Sequence, residues 1–167
     1  MIFKSTPKEK YIFHYIVIYK ENYPKVRMNK KRGLWICLDG PDYNGKRTQT
    51  SLLADTLTSW HEDNDVLLTH EPTWRAKEIK RKLSEDKDAK SDGLRLATLY
   101  VEDRVLHEEE IIKPNLRKGV IVISNRHKYS TDAYQSAQGV HLKDLIDLQK
   151  VKGISTPDLT LFLDVDS

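Results

Sequence analysis

Thiols are nearly missing from this chain of 167 residues: Cys37 is the single cysteine. That excludes an internal disulfide and leaves no second thiol for a zinc site. The histidines (His14, His61, His70, His107, His127 and His141) show no metal-ligand spacing either. Long apolar runs are also lacking, and none approaches the ~20 residues that a membrane-spanning helix needs. Charge of one sign is scarce: 28 Lys and Arg against 25 Asp and Glu leave +3. So small an excess suits a protein that handles small anions, and it gives no ground for a nucleic-acid partner. What is present, 38 % hydrophobic and 32 % charged residues, excludes a wholly disordered chain. These features predict one soluble, reduced, cytoplasmic domain without internal repeats or low-complexity tracts.

The first 27 residues need a separate reading. A polar, basic stretch precedes the apolar, aromatic run from Tyr11 to Tyr19, an order that secretory signals share. However, His14 interrupts the run, Lys20 and Glu21 close it, and no small-residue cleavage site follows. The β-branched and aromatic content fits an extra β-strand or a poorly ordered extension better. Residues 1–27 are therefore expected to be a dispensable N-terminal extension, and residues 28–167 the domain proper.

From residue 34 strands and helices alternate. Leu34–Leu38, Asp65–Thr69, Gly119–Ser124 and Leu159–Leu163 are short apolar runs of the kind found in buried parallel strands. Helical spacing marks residues 46–60, Arg75–Leu83, Leu94–Ile112 and Leu142–Leu148, with Pro114 expected to end the third of these. The alternation predicts an α/β domain: a parallel sheet built by right-handed crossovers, with helices on both faces.

Ligands of such sheets bind at the carboxyl ends of the strands. After the first strand comes Asp39-Gly40-Pro41-Asp42-Tyr43-Asn44-Gly45-Lys46-Arg47-Thr48. It contains G-x-x-x-x-G-K, the opening of a phosphate-binding loop, in the strand-to-helix setting that this motif requires. Glycines let backbone N–H groups curl round phosphate oxygens, and the helix N-terminus adds positive potential. Lys46 is expected to supply a mobile, solvated charge. Arg47 occupies the position of the usual metal-directed hydroxyl, leaving Thr48 next in line. The alternative is an ordinary Gly-containing β–α turn with a solvated lysine.

The remaining strand ends carry further motifs. They are His70-Glu71-Pro72, Tyr100-Val-Glu-Asp-Arg104, Asn125-Arg-His-Lys-Tyr-Ser-Thr-Asp-Ala-Tyr-Gln135, and the run from Pro157 to Asp166. With Asp39–Gln49 they stand in the order and at the spacing of the thymidylate kinases, which the sequence resembles from about Leu34 to Asp166. The corresponding family patterns are E-G-x-D-G-x-G-K-x-T-Q, R-E-P, F-x-x-D-R, D-R-Y-x-x-S-x-x-A-Y-Q and P-D-L-T-x-x-L-D-V-D.

The resemblance implies a P-loop, nucleoside-monophosphate-kinase-like fold and transfer of the γ-phosphate of ATP, with Mg²⁺, to dTMP. It implies that Gly40, Pro41, Asp42, Tyr43, Asn44, Gly45, Lys46, Arg47 and Thr48 surround the ATP phosphates. Asp42 is implied to hold the 3′-hydroxyl of dTMP and Arg126 to clamp its phosphate. Tyr100 takes the place of the aromatic that stacks on thymine, and Arg104 that of the arginine bonded to the base. Thr131 falls at a polar contact to thymine, and Tyr134 where an aromatic disfavours a 2′-hydroxyl. Asp39 and Asp164 are the candidate metal carboxylates, and a homodimer is implied. In the family a lid, a further strand and a C-terminal helix follow L-D-V-D. The chain as given stops at Ser167 and is expected to lack them, so that its turnover is low.

Plainer readings accompany these roles. Tyr100 and Arg104 lie four residues apart, the spacing of an ordinary surface pair on a helix. Asp164 and Asp166 also fit a plain strand terminus. The sequence departs from the family pattern at His70, Tyr43, Asn125 and His127. The other functions open at this point are a kinase for another nucleotide or nucleoside and a degenerate nucleotide-binding protein with little turnover.

Overall fold

The computed structural model describes residues 16–19, 32–60, 65–85 and 92–164. Its elements in chain order are β1 (Ile16–Tyr19), β2 (Trp35–Asp39), α1 (Lys46–Trp60), β3 (Val66–His70), α2 (Lys77–Glu85) and α3 (Gly93–His107). A π-helical turn (Glu108–Ile112) leads into α4 (Lys113–Arg117), followed by β4 (Ile121–Asn125), α5 (Lys128–Ser136), α6 (Leu142–Val151) and β5 (Leu159–Leu163). Two compact units result. Among the described residues, the first comprises those up to Thr69, residues 115–125 and those from Pro157 on; the second comprises His70–Pro114 and Arg126–Thr156.

The first unit holds the sheet, in the order β1-β5-β2-β4-β3. β2 is central and parallel to both neighbours, with Cys37 opposite Ser124 of β4 and Thr160 of β5. All five of its residues are buried, which accounts for the unbroken apolar run from Trp35 to Leu38 in place of an alternating pattern. Ile36, Leu38, Ile121, Ile123, Leu161 and Leu163 form the core with Ala54 of α1, and Leu53, Leu57 and Val66 pack against it. Trp35 is buried, and its indole N–H donates to Ser124 Oγ at 3.0 Å. Gly33 sits where a Cβ would come within 1.8 Å of the Val120 carbonyl oxygen, so no other residue fits at the entry to β2. The predicted α/β fold with a parallel sheet is what forms.

The apolar run near the N-terminus contributes a strand. β1 pairs antiparallel with β5, from Ile16 opposite Leu163 to Tyr19 opposite Thr160. The rest of the 1–27 extension lies outside the described residues.

The second unit is helical, with Ile79, Leu96, Ala97, Val101, Ile112 and Leu145 buried. α3 begins at an Asp92 N-cap, whose carboxylate accepts the Arg95 N–H at 3.1 Å. Two features differ from expectation. Pro114 does not end the helical path; it lies in the first turn of α4, where a proline's missing N–H is tolerated. The preceding π turn accommodates it by shifting the register, with the Lys113 N–H reaching the Glu108 carbonyl. α5 is a helix that apolar periodicity does not announce, because its sequence KYSTDAYQS is almost wholly polar.

Candidate active site

In the first unit, the loop from Gly40 to Gly45 joins the carboxyl end of β2 to the start of α1. Its backbone turns through positive φ at Gly40 (142°), Tyr43 (63°) and Gly45 (80°). Gly40 is obligatory: a Cβ there would meet Asn44 Nδ2 at 2.4 Å and the Leu163 carbonyl at 2.5 Å. Asn44 ties the loop to β5 by donating to the Leu163 carbonyl at 2.7 Å. Asp39 Oδ1 accepts the Gly40 N–H at 2.8 Å. The first turn of α1 carries no acidic residue, so its exposed N–H groups keep their attraction for anions.

Lys46 differs from its expected state. It is 7 % exposed rather than solvated. Its ammonium donates to the carbonyls of Gly40 (3.0 Å) and Pro41 and to Asn44 Oδ1 (3.0 Å). The buried charge thereby meets carbonyl dipoles, and it braces the loop while presenting positive potential inside the curl. Pro41, Asp42, Tyr43, Arg47 and Thr48 are exposed around it, and Asp164 is exposed at the end of β5.

The second unit gathers side chains rather than backbone. Arg104 is 1 % exposed on α3, which rules out the surface-pair alternative. Its Nε donates to Glu71 Oε2 at 2.7 Å, Nη1 to Gln149 Oε1 at 3.0 Å and Nη2 to Thr131 Oγ1 at 3.0 Å. Gln149 in turn donates to Asp132 Oδ1 at 2.7 Å. Tyr100, half-buried, lies one turn before Arg104 on the same helix. Glu71 Oε1 has His107 Nδ1 at 3.1 Å and His127 Nε2 at 3.8 Å. Burial alone would raise the Glu71 carboxyl's pKa, but Arg104 and the neighbouring imidazoles outweigh it and hold the value at about 2. The adjoining turn is fixed by Asp103, which accepts the Thr73 N–H at 2.8 Å and its hydroxyl at 2.5 Å.

Arg126 directly follows β4 with φ 71°, a left-handed conformation uncommon for a residue with a side chain. Its Nη1 donates to Ser130 Oγ at 2.8 Å and its Nη2 to the Tyr134 hydroxyl at 3.4 Å, with the guanidinium 5.2 Å from the Tyr134 ring centre. Both partners come from α5. Strain of this kind collects where a side chain must be aimed.

Within the second unit, then, Arg104 meets Thr131 and Arg126 meets Tyr134, as paired members of the predicted set. Glu71, His107, Gln149, His127 and Glu108 form the buried surroundings; Glu71 and His127 stood within the sequence motifs without an assigned role, and the other three were not singled out. Position after β3 was the available signal for Glu71, and the i,i+3 relation to Arg104 was that for His107.

Comparison with known proteins gives a consistent result. The thymidylate kinase family model matches residues 38–167. A probable thymidylate kinase of Staphylothermus marinus is 38 % identical over 141 residues, covering 83 % of this chain and 67 % of the relative. One from Thermococcus onnurineus is 42 % identical over 140 residues, covering 79 % and 66 %. The crystal structure of thymidylate kinase from Ehrlichia chaffeensis superposes with a TM-score of 0.72 at 33 % identity, covering 81 % of this chain and 78 % of that one. The chain thus spans about two thirds of the length of the curated relatives it matches. On the strength of the family match, these relatives and the shared fold, the chain belongs to the thymidylate kinase family.

Proposed function

We propose that the chain transfers the γ-phosphate of ATP to dTMP, giving dTDP. The loop from Gly40 to Thr48 carries the donor half of this reading: a backbone curl with a buried lysine at an uncompensated helix N-terminus suits a polyphosphate. Family membership supports dTMP as acceptor. In this reading Lys46 neutralises the donor phosphates, and an incoming phosphate oxygen competes with the loop carbonyls for its protons. Arg126 offers a planar fork to the acceptor phosphate, Arg104 and Thr131 meet the base, Tyr100 stacks on it, Tyr134 shields the sugar, and Asp42 takes the 3′-hydroxyl. Phosphoryl transfer asks little else of a protein than alignment and charge neutralisation.

The donor set also suits Mg²⁺. Asp39 lies opposite Phe162 in the register of β2 and β5, so Asp164 follows two residues further on the neighbouring strand. These hard carboxylates would hold an ion that takes its other ligands from water and phosphate, as Mg²⁺ commonly does. No cluster of three or more His, Cys, Asp or Glu side chains able to hold a metal occurs among the described residues. When bound, the ion supplies charge neutralisation at the phosphates. No helix among the described residues is long and apolar enough to cross a membrane. The homodimer and the cytoplasmic location are carried as proposals on the resemblance and the scarcity of cysteine, with sedimentation and cell fractionation as their tests.

The deciding experiment is a coupled ADP-release assay with dTMP, dUMP, dGMP and dCMP side by side. Turnover with dTMP above the others is the expected result. Preference for another acceptor would reassign the substrate, and ATP binding without ADP release against any of them would make the chain a nucleotide-binding protein instead.

A further inference from the structure

Glu108 is a carboxylate that the reaction itself does not call for. It opens the π turn after α3 and is 1 % exposed. π turns inside helices are uncommon and frequently accompany functional sites. Both Glu108 oxygens accept the Ser155 N–H, at 3.0 and 3.2 Å, and Lys113 Nζ lies 3.3 Å away. Its Oε1 is also 3.3 Å from Nε2 of the fully buried His127. His127 is the residue that follows Arg126.

This placement matters because of the backbone between β4 and α5. A left-handed residue with a side chain persists only where its neighbours over-determine it. After Arg126, α5 starts at Lys128 with no side-chain cap from His127. That start is held by the His127 carbonyl, which accepts the Ser130 N–H at 3.1 Å, and by the imidazole against Glu108. Glu108 holds the same corner a second way: it fixes Ser155, and the adjacent Thr156 hydroxyl accepts from Lys128 Nζ at 2.8 Å.

The charges are consistent with this arrangement. Glu71 is paired with Arg104, and Lys113 is shared between Glu109 at 2.6 Å and Glu108 at 3.3 Å. Burial pulls the His127 pKa below its ordinary value, and Glu71 and Glu108 offset this incompletely. A neutral ring can carry its proton on Nε2 and turn it toward Glu108. Burial raises the Glu108 pKa, but His127 and Ser155 outweigh it and hold the group below its usual value, ionised as an anchor must be.

We propose that Glu108, acting through His127 and the Ser155 loop, is a positioning residue that holds the strained corner at Arg126 and so aims its guanidinium at the acceptor phosphate. The proposal rests on the phosphate-clamp reading of Arg126. It differs from a purely structural role in one respect: the effect of Glu108 on acceptor binding must pass through Arg126.

The test is a double-mutant cycle on dTMP affinity, measured by calorimetry with the full chain, using the nearly isosteric Glu108→Gln together with Arg126→Ala. Glu108→Gln is expected to raise the Kd for dTMP about tenfold, within the range of coupled neighbours, with ATP affinity unchanged within about twofold. Once Arg126 is alanine, Glu108→Gln should add less than about twofold. His127→Phe, which keeps the ring volume and removes Nε2, should repeat the pattern and serves if Glu108→Gln folds poorly. Equal effects in both backgrounds, or none in either while Arg126→Ala weakens dTMP, would overturn the positioning role alone. Unchanged dTMP affinity in Arg126→Ala, or no dTMP binding by the parent chain, would overturn the clamp reading and this proposal together.

Discussion

The two units build their candidate sites from different materials. In the first, the loop from Gly40 to Gly45 is a backbone device, in which glycines and positive φ angles shape a curl braced by one lysine. In the second, a buried lattice of side chains centred on Arg104 and Glu71 defines the site, and each group is held by two or three others. A backbone site tolerates change in most of its side chains, because N–H groups are common to nearly all residues. A side-chain lattice does not, because removing one member strands the others in low dielectric. Damage should therefore appear as lost turnover in the first unit and as lost stability in the second.

Lys46→Ala gives the largest effect expected in the first unit. It should lower kcat by about 10²–10³ or more, the scale of losing one preorganised electrostatic group, while the urea midpoint moves little. A large drop in midpoint with modest loss of turnover would mean that the lysine chiefly braces the loop. In the second unit, Arg104→Ala should destabilise by about 3–5 kcal/mol, because Glu71 is left as an uncompensated buried charge. Replacing both partners, with Arg104→Met and Glu71→Gln, should recover much of that in urea unfolding. Failure to recover it would locate the stability in Gln149 and Thr131 instead.

A finer distinction comes from Arg126. If its fork clamps phosphate, Arg126→Lys should weaken dTMP nearly as much as Arg126→Ala, since an amine cannot reproduce two parallel donors. Equal affinity of Arg126→Lys and the parent chain would reduce the interaction to simple charge.

Acid should act on the second unit, which holds both His127 and Glu71. His127 is shifted below its ordinary value, so its contribution to stability is complete above about pH 6.5 and declines as pH falls below that. Glu71, at about 2 against an ordinary 4.5, contributes fully above pH 4.5 and loses that contribution as pH falls toward 2. The Tm should accordingly fall in two stages on acidification, and His127→Phe should flatten the first. The smallest effect expected is from deleting residues 1–27: the four residue pairs of β1 with β5 are lost, so Tm should drop by a few degrees at most with ATP affinity unchanged. A collapse of the fold would make β1 integral to the sheet.

The difference between the units also governs what the sequence discloses. The strands and α1 were legible within a residue or two, because the strands are short, mainly apolar runs and the loop has a fixed glycine and lysine spacing. α5 was not, since it buries Thr131 and Gln135 rather than an apolar stripe. Pro114 was misleading because the π turn that accommodates it leaves no pattern in EEEII. Tyr100 and Arg104 resembled a surface pair because i,i+4 spacing is the same on either face of a helix. Only the burial of Arg104 distinguishes them. His127 and Glu108 are distant in sequence, and their proximity depends on the tertiary fold.

The burial of Cys37 has a consequence for measurement. As the chain's single thiol, fully enclosed in the central strand between β4 and β5, it reacts with an alkylating reagent only when those strands part. Labelling kinetics on the unmodified protein therefore report how often the middle of the sheet opens.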